Sequence, residues 1–494
     1  MNARPPAAFL NTAKVLSQVS TRWDDDIVGQ LADYIAIPAK SPLFDPDWAE
    51  HGFIDRVVRY AAAWVEAQQV AGLTLEVIRL PGRTPVLFFE LAASAGSSGQ
   101  AVSGQTVLMY GHLDKQPEFT GWRSDLGPWS PKYQDGKLYG RGGADDGYAI
   151  YAAIAAIQAI KTQQVAHPRV VGLVETCEES GSYDLLPYID ALRTRLGAVG
   201  LVICLDSGAG NYDQLWLTNS LRGMASGVLK VEVLTEGVHS GDASGLVPSS
   251  FRILRHLLDR LEDSATGQLL PSQFHCLVPP ERLTQARATA AILGEQIYKR
   301  FPWAHADCGG AAQSMLPTTT DPLQALLNRT WQPTLSVTGV EGMPDLQNAG
   351  NVLRPYTAFK LSLRLPPLID AATAVAQLKI LLEDNAPYQA KVTFDHAAGA
   401  SGWNAPATAG WFEQAATAAS QSCFGAPCGH IGQGGTIPLM NMLSQGFPKA
   451  QMMVCGVLGP NSNAHGPNEF LHVPYAKKLT AAVAQVIAAA ARAE

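Results

Sequence analysis

Residues 106–117 read TVLMYGHLDKQP, a short apolar run that stops at Gly111 and then delivers His112 and Asp114. A continuous apolar run of this length, closed by a turn signal, predicts a strand buried on both faces. Outward from it the pattern repeats. TLEVIRL (74–80), PVLFFELA (85–92), RVVGLVET (169–176), GLVICLD (200–206) and AQMMVCGV (450–457) read as further strands. Between them FIDRVVRYAAAWVEAQQ (53–69), DGYAIYAAIAAIQAIKTQQ (146–164) and AAVAQVIAAAARAE (481–494) read as helices. Such alternation predicts an α/β sheet with helices on each side. AASAGSSGQAVSG (92–104) reads as a surface loop.

The middle of the chain changes period. SGVLKVEVLTE (226–236), AFKLSLRL (358–365) and, more weakly, AKVTFD (390–395) alternate apolar and polar residues, as strands with one wet face do. FRILRHLLDRLED (251–263) and AATAVAQLKILLED (371–384) are helix-like. A second domain, residues 223–397, therefore interrupts a first made of 1–222 and 398–494. The stretch from 264 to 330 has no strong period.

At 494 residues two or three domains are expected. The 36 basic and 43 acidic residues give a net charge of −7. With no Lys/Arg run, nucleic acid and anionic membranes are poor partners. No stretch of eighteen apolar residues and no continuous apolar leader occur, which makes the cytoplasm the expected address. Seven scattered cysteines do not resemble a disulfide framework.

Acidic and imidazole side chains collect where the apolar runs end. His112 and Asp114 follow one; Glu178 and Glu179 of EESGS follow a second; Asp206 follows a third; His465 lies in PNSNAHGPNE after a fourth. Asp145 and Asp146 of GRGGADDG open the helix that starts near residue 148. Ligands of open α/β sheets bind beyond the carboxyl ends of the strands, so these groups can converge. A lone His-x-Asp is more often a capped turn, and a Glu-Glu pair is usually solvated. Five such coincidences in one sheet favour a shared site instead. Two imidazoles, several carboxylates and no thiolate suit zinc, and also cobalt or manganese. Paired ions would activate a water and polarise a carbonyl, while a free glutamate moves the proton.

GHLDKQP, LYGRGGADDG, EESGS, Asp206 and AHGPNE together resemble the motifs of the co-catalytic di-zinc metallopeptidase family that contains aminoacylase, acetylornithine deacetylase, succinyl-diaminopimelate desuccinylase, carboxypeptidase G and carnosinase. The resemblance runs from about residue 30 to the C-terminus and is greatest to the carnosinase and cytosolic dipeptidase branch. It implies a mixed, mainly parallel catalytic sheet and an inserted α+β, ferredoxin-like domain that serves as lid and dimer contact. It also implies two divalent ions per chain, bridged by Asp145. His112 and Asp206 would complete one site, and Glu179 and His465 the other. Glu178 would be the general base, Asp114 would orient His112, and the Asp145–Asp146 peptide would be cis. In the inserted domain GVHSGDASG (237–245) matches the family's lid histidine at His239, expected to act on the partner's site in a homodimer. Asn351 and Arg364 of NVLRPYTAFKLSLRLPP (351–367), and Thr436 of GQGGTIP (432–438), match substrate-binding positions. Two departures stand out: Gly147 replaces the family's usual Lys, and Asn351 the branch's common Thr.

The implied activity is hydrolysis of dipeptide or C-terminal peptide bonds. An N-acyl-amino-acid deacylase or desuccinylase would use the same catalytic atoms. A metal-free binding homologue would lack a ligand or Glu178, and both are present.

Overall fold

The computed structural model describes residues 9–94, 105–304, 315–435 and 438–493. The loop expected at 92–104 thus lies almost wholly outside the described residues. The chain folds into two compact units: 1–219 with 405–431 and 442–494, and 220–404 with 432–441.

The first unit is built on a six-stranded sheet. Its order is Leu73–Ile78, Val86–Leu91, Arg169–Glu175, Thr106–His112, Val199–Cys204, Gln451–Val454. Only Val86–Leu91 opposes the other five, because both of its neighbours pair with it antiparallel. The sheet is therefore mixed and mainly parallel. Leu73–Ile78 is not the buried strand its apolar run suggested. It sits at the edge and leaves much of its length exposed, Val77 included.

Thr106–His112 is buried at every residue, as its unbroken apolar run requires. The helix Tyr148–Thr162 is buried on nearly every side, and its alanines allow close packing. Val473–Ala490, longer than the expected helix, begins at a proline-containing first turn capped by the His472 side chain. Among the described residues no helix is long and apolar enough to cross a membrane.

The second unit has a four-stranded antiparallel sheet ordered Thr334–Glu341, Tyr356–Leu365, Gly223–Glu232, Lys391–Ala400. The helices Ser250–Leu258 and Ala371–Glu383 follow the first and third of these strands in sequence, giving a ferredoxin-like βαββαβ order. Leu254, Leu257, Leu378 and Leu382 pack onto Leu229, Val231, Leu361, Leu363 and Phe394. Asp370 starts the second helix by accepting a bond from the Thr373 amide. The stretch 264–330 proves to contain helices Pro280–Leu293, Gln296–Lys299 and Pro322–Thr330, with 305–314 outside the described residues.

Candidate metal centre

Three adjacent strands of the first unit deliver His112, Glu178, Glu179 and Asp206. From Thr106–His112 the chain moves to Arg169–Glu175 on one side, then crosses to Val199–Cys204 on the other. Such a reversal opens a crevice at the strands' carboxyl ends. His112 is the last residue of the central strand. Glu178 and Glu179 start a short 3-10 turn just past the second, and Asp206 lies two residues past the third. Asp145 comes from the turn Gly143–Gly147, and its peptide to Asp146 is cis. Gly111 lets that turn approach, since a Cβ there would stand 2.6 Å from the Ala149 Cβ and 2.9 Å from Asp146 Oδ2.

His112 is wholly buried. Its Nδ1 lies 3.0 Å from the backbone carbonyl of Asp114 and so donates to it, and in the neutral ring Nε2 then carries the lone pair. Among the described residues that nitrogen has no hydrogen-bond partner. It faces Asp145 Oδ1 at 3.5 Å and Asp206 Oδ2 at 3.9 Å. A lone pair buried opposite two carboxylates is repulsive unless a cation lies among them. On the other side, His465 Nε2 stands 2.9 Å from Asp145 Oδ2 and 3.4 Å from Glu179 Oε2. Asp145 thus turns one oxygen to each histidine.

Ligand atoms of His112, Asp145 and Glu179 lie within 4.8 Å of one another, as do those of His112, Glu178 and Asp206. The charges of this cluster conflict. Burial, then the Asp145 charge, pushes Asp206 up to about 7. Burial, then Asp206, raises Glu178 well above the usual carboxylate range; burial, then Asp145 and Glu178, does the same to Glu179. Burial would also raise Asp145, but its two histidine neighbours, His112 and His465, outweigh it and hold that carboxyl far down. Cations would relieve this crowding of acids, and the donor set of imidazole and carboxylate fits a divalent metal.

The supporting residues are equally specific. Asp114, fully buried, accepts the Glu178 amide at 3.1 Å and the Glu179 amide at 3.0 Å through its two oxygens. Its Oδ1 is also 3.4 Å from His112 Nδ1. Gln116 donates to Glu179 Oε2 at 2.5 Å. Sequence reading passed over Arg141 and Glu469, although both lie inside quoted motifs. Arg141 donates to the backbone carbonyls of His465 and Gly466 at 3.0 and 2.8 Å and pairs with buried Glu469. Glu469 also accepts the Gly142 amide at 2.9 Å. The pair ties the loop of His465 to the turn of Asp145.

Gly147 has a steric cause. A Cβ there would meet the Tyr34 ring at 2.2 Å. Beside that ring, buried Lys115 holds its ammonium 3.9 Å from the centroid and donates to the Tyr34 and Ile37 carbonyls at 2.7 Å. A lysine side chain therefore does sit next to this turn, carried by residue 115 rather than 147.

In the second unit His239 is exposed on a two-residue strand, Val238–His239, opposite Val352. The neighbouring Asn351, also exposed, accepts the Ser240 amide at 2.9 Å through its backbone carbonyl. Arg364 lies half-buried on the central strand Tyr356–Leu365, opposite Thr334 and Met224. Thr436 lies outside the described residues.

An α/β sheet whose strand ends gather imidazoles and carboxylates around an unpartnered histidine nitrogen, with an inserted ferredoxin-like unit, defines a metal-dependent hydrolase. The model of Peptidase family M20/M25/M40 matches residues 108–489. The chain belongs to that family and hydrolyses peptide bonds. Human Beta-Ala-His dipeptidase is 26% identical over 467 residues, 91% of this chain and 87% of that relative. Cysteinylglycine-S-conjugate dipeptidase of Corynebacterium striatum is 26% identical, over 84% and 88%. The crystal structure of human carnosine dipeptidase 1 superposes with a TM-score of 0.74 at 23% identity, covering 99% of this chain and 100% of that one, a likeness of fold. These relatives match the carnosinase and cytosolic dipeptidase branch that the motifs resemble.

Proposed function

We propose that the enzyme is a dipeptidase or carboxypeptidase-like hydrolase that works with two divalent ions, most suitably zinc. The observation that carries this reading is the buried, unpartnered Nε2 of His112 facing Asp145 and Asp206. Asp145 would hold both ions, His112 and Asp206 one, and Glu179 and His465 the other. Bound there, the metal would polarise the scissile carbonyl and lower the pKa of water.

Glu178 is the residue for proton movement. Its backbone is fixed by Asp114, and burial raises its affinity for a proton, so it can take one from water and return it to the leaving amine. Arg364 would grip the substrate carboxylate through parallel hydrogen bonds, with Asn351 and Thr436 beside it. The two relatives named above are dipeptidases, which supports small peptides as substrates. A cytoplasmic setting suits the six unpaired cysteines among the described residues.

The second unit, read as a lid and dimerisation domain, supports a homodimer. Its edge strand Thr334–Glu341 exposes Val337 and Val340. An isologous contact would cover such an edge. In that dimer His239 acts on the partner's site as an oxyanion donor. Mixing inactive His239→Ala protein with inactive Glu178→Gln protein, under conditions of verified subunit exchange, restores activity if His239 acts in trans; continued inactivity rejects it. The function itself is tested by a dipeptide panel beside N-acetyl and N-succinyl amino acids, with zinc, manganese and cobalt each supplied. Hydrolysis of the N-acyl amino acids alone would make the enzyme a deacylase.

A further inference from the structure

His112 and His465 both face Asp145, but the fold holds them by different means. His112 is wholly buried at the end of a strand, with its ring fixed through Nδ1 to the Asp114 carbonyl. The His465 side chain is 53% exposed and belongs to the loop between strands Gln451–Val454 and Phe470–His472. That loop has left-handed backbone at Asn461, Asn463, His465 and Asn468, with φ of 64°, 54°, 64° and 60°. Residues other than glycine populate this region sparsely, so the loop keeps its shape only where surrounding contacts enforce it.

Among the described residues, the hydrogen bonds to the His465 backbone come from Arg141. Its Nη2 donates to the His465 carbonyl at 3.0 Å and to the Gly466 carbonyl at 2.8 Å. Its Nε donates to the Pro117 carbonyl at 3.2 Å, and its Nη1 donates to Glu469. Glu469 in turn accepts the Gly142 amide at 2.9 Å, and the Gly142 carbonyl accepts the Gly147 amide at 3.0 Å across the turn that bears Asp145. Both charged side chains are buried. Taking an ion pair out of water often costs as much as the pair returns, so stability alone is a poor reason for this one. A planar fork of fixed donors is well suited to setting geometry. Glu179 is fixed by other means, through its amide to Asp114 and its carboxylate to Gln116. His465 is therefore the one metal-facing histidine whose backbone Arg141 holds.

We propose that Arg141 is a positioning residue for one of the two ions. Backed by Glu469, it holds His465 against Asp145. The ion assigned to Glu179 and His465 then depends on the pair, and the ion assigned to His112 and Asp206 does not. This rests on the two-ion reading above and adds to it a residue that acts only through another.

The test counts metal in loaded protein after dialysis against a weak chelator, and measures both affinities by chelator competition, for wild type, Glu469→Gln and Arg141→Lys. In Glu469→Gln an NH₂ group replaces one carboxylate oxygen, and the Arg141 fork loses its charged partner. Wild type should keep two ions per chain and Glu469→Gln one, with the affinities of the two sites drawn apart by roughly 10- to 100-fold. Arg141→Lys keeps the buried charge but cannot bond two carbonyls and a carboxylate in one plane, so it should show the same separation. It carries the test if Glu469→Gln does not fold. A role in stability alone would lower the melting temperature and leave the ratio of the two affinities as in wild type. That ratio unchanged in a folded variant, or both ions lost together, would overturn the inference and leave the two-ion reading standing. Wild-type protein that never holds more than one ion would overturn the two-ion reading, and the inference with it.

Discussion

Replacing Asp114 by Asn changes one atom and isolates what this buried carboxylate does. In the native protein its two oxygens take the amides of Glu178 and Glu179, at 3.1 and 3.0 Å, and Oδ1 stands 3.4 Å from His112 Nδ1. An asparagine has one acceptor oxygen. Whichever way its amide turns, an NH₂ group faces a backbone N–H, and one of the two glutamates loses its anchor. A charge-assisted hydrogen bond is worth about 1.5–3 kcal/mol, and stranding its buried donor costs about 1–3 kcal/mol more. Part of this would be recovered as the turn relaxes, leaving about 2–3 kcal/mol, or roughly 30- to 150-fold. The loss should fall on metal affinity and kcat/KM, since the displaced residues are Glu178 and Glu179. Removal of a group that orients metal ligands commonly costs about 10–100-fold, in line with this figure. Chelator competition would give the affinities, steady-state hydrolysis the rates, and circular dichroism the integrity of the fold. A folded Asp114→Asn protein with metal affinity and kcat/KM within twofold of wild type would refute the claim that Asp114 organises the site.

Glu178→Gln should keep its metal while turnover falls by roughly 10²–10⁴; loss of metal instead would exchange the roles assigned to Glu178 and Glu179. Substrates whose α-carboxylate is amidated should lose far more activity than those altered at the adjacent side chain. Equal hydrolysis of acid and amide forms would remove Arg364 from substrate binding. Glu175, bonded to Tyr110 and Ser182, is raised by burial from 4.5 to about 7. A carboxyl raised on folding stabilises fully below its unfolded pKa, and that contribution fades as pH rises toward the folded value. Glu175→Gln should therefore flatten the decline in thermal stability between about pH 4.5 and pH 7, and an unchanged slope in melting experiments would assign it to other groups.

The signals legible in the sequence were those carried by local period. Thr106–His112 announced itself because a strand buried on both faces must be apolar throughout, and the chemistry stood out because charged residues ended such runs. The ferredoxin-like unit showed its half-wet strands by alternation. What the sequence hid depends on contacts between distant residues. TLEVIRL has the apolar content of a central strand, but only the order of strands places it at the edge. Arg141 and Glu469 are 328 positions apart, and nothing near either one shows that the two carry the loop of His465 and the turn of Asp145 together. Lys115 teaches the same point in reverse. Read alone, HLDKQP puts a lysine next to a metal motif, and GADDG leaves an expected lysine out. Once Tyr34 is seen to fill the space over Gly147, with Lys115 Nζ over its face, the missing lysine has a steric cause. A side chain at 147 would have to displace Tyr34, whose hydroxyl donates to the Leu113 carbonyl between His112 and Asp114. The ring and the strand end that supplies His112 are thus joined, and Gly147 is fixed by what packs against it.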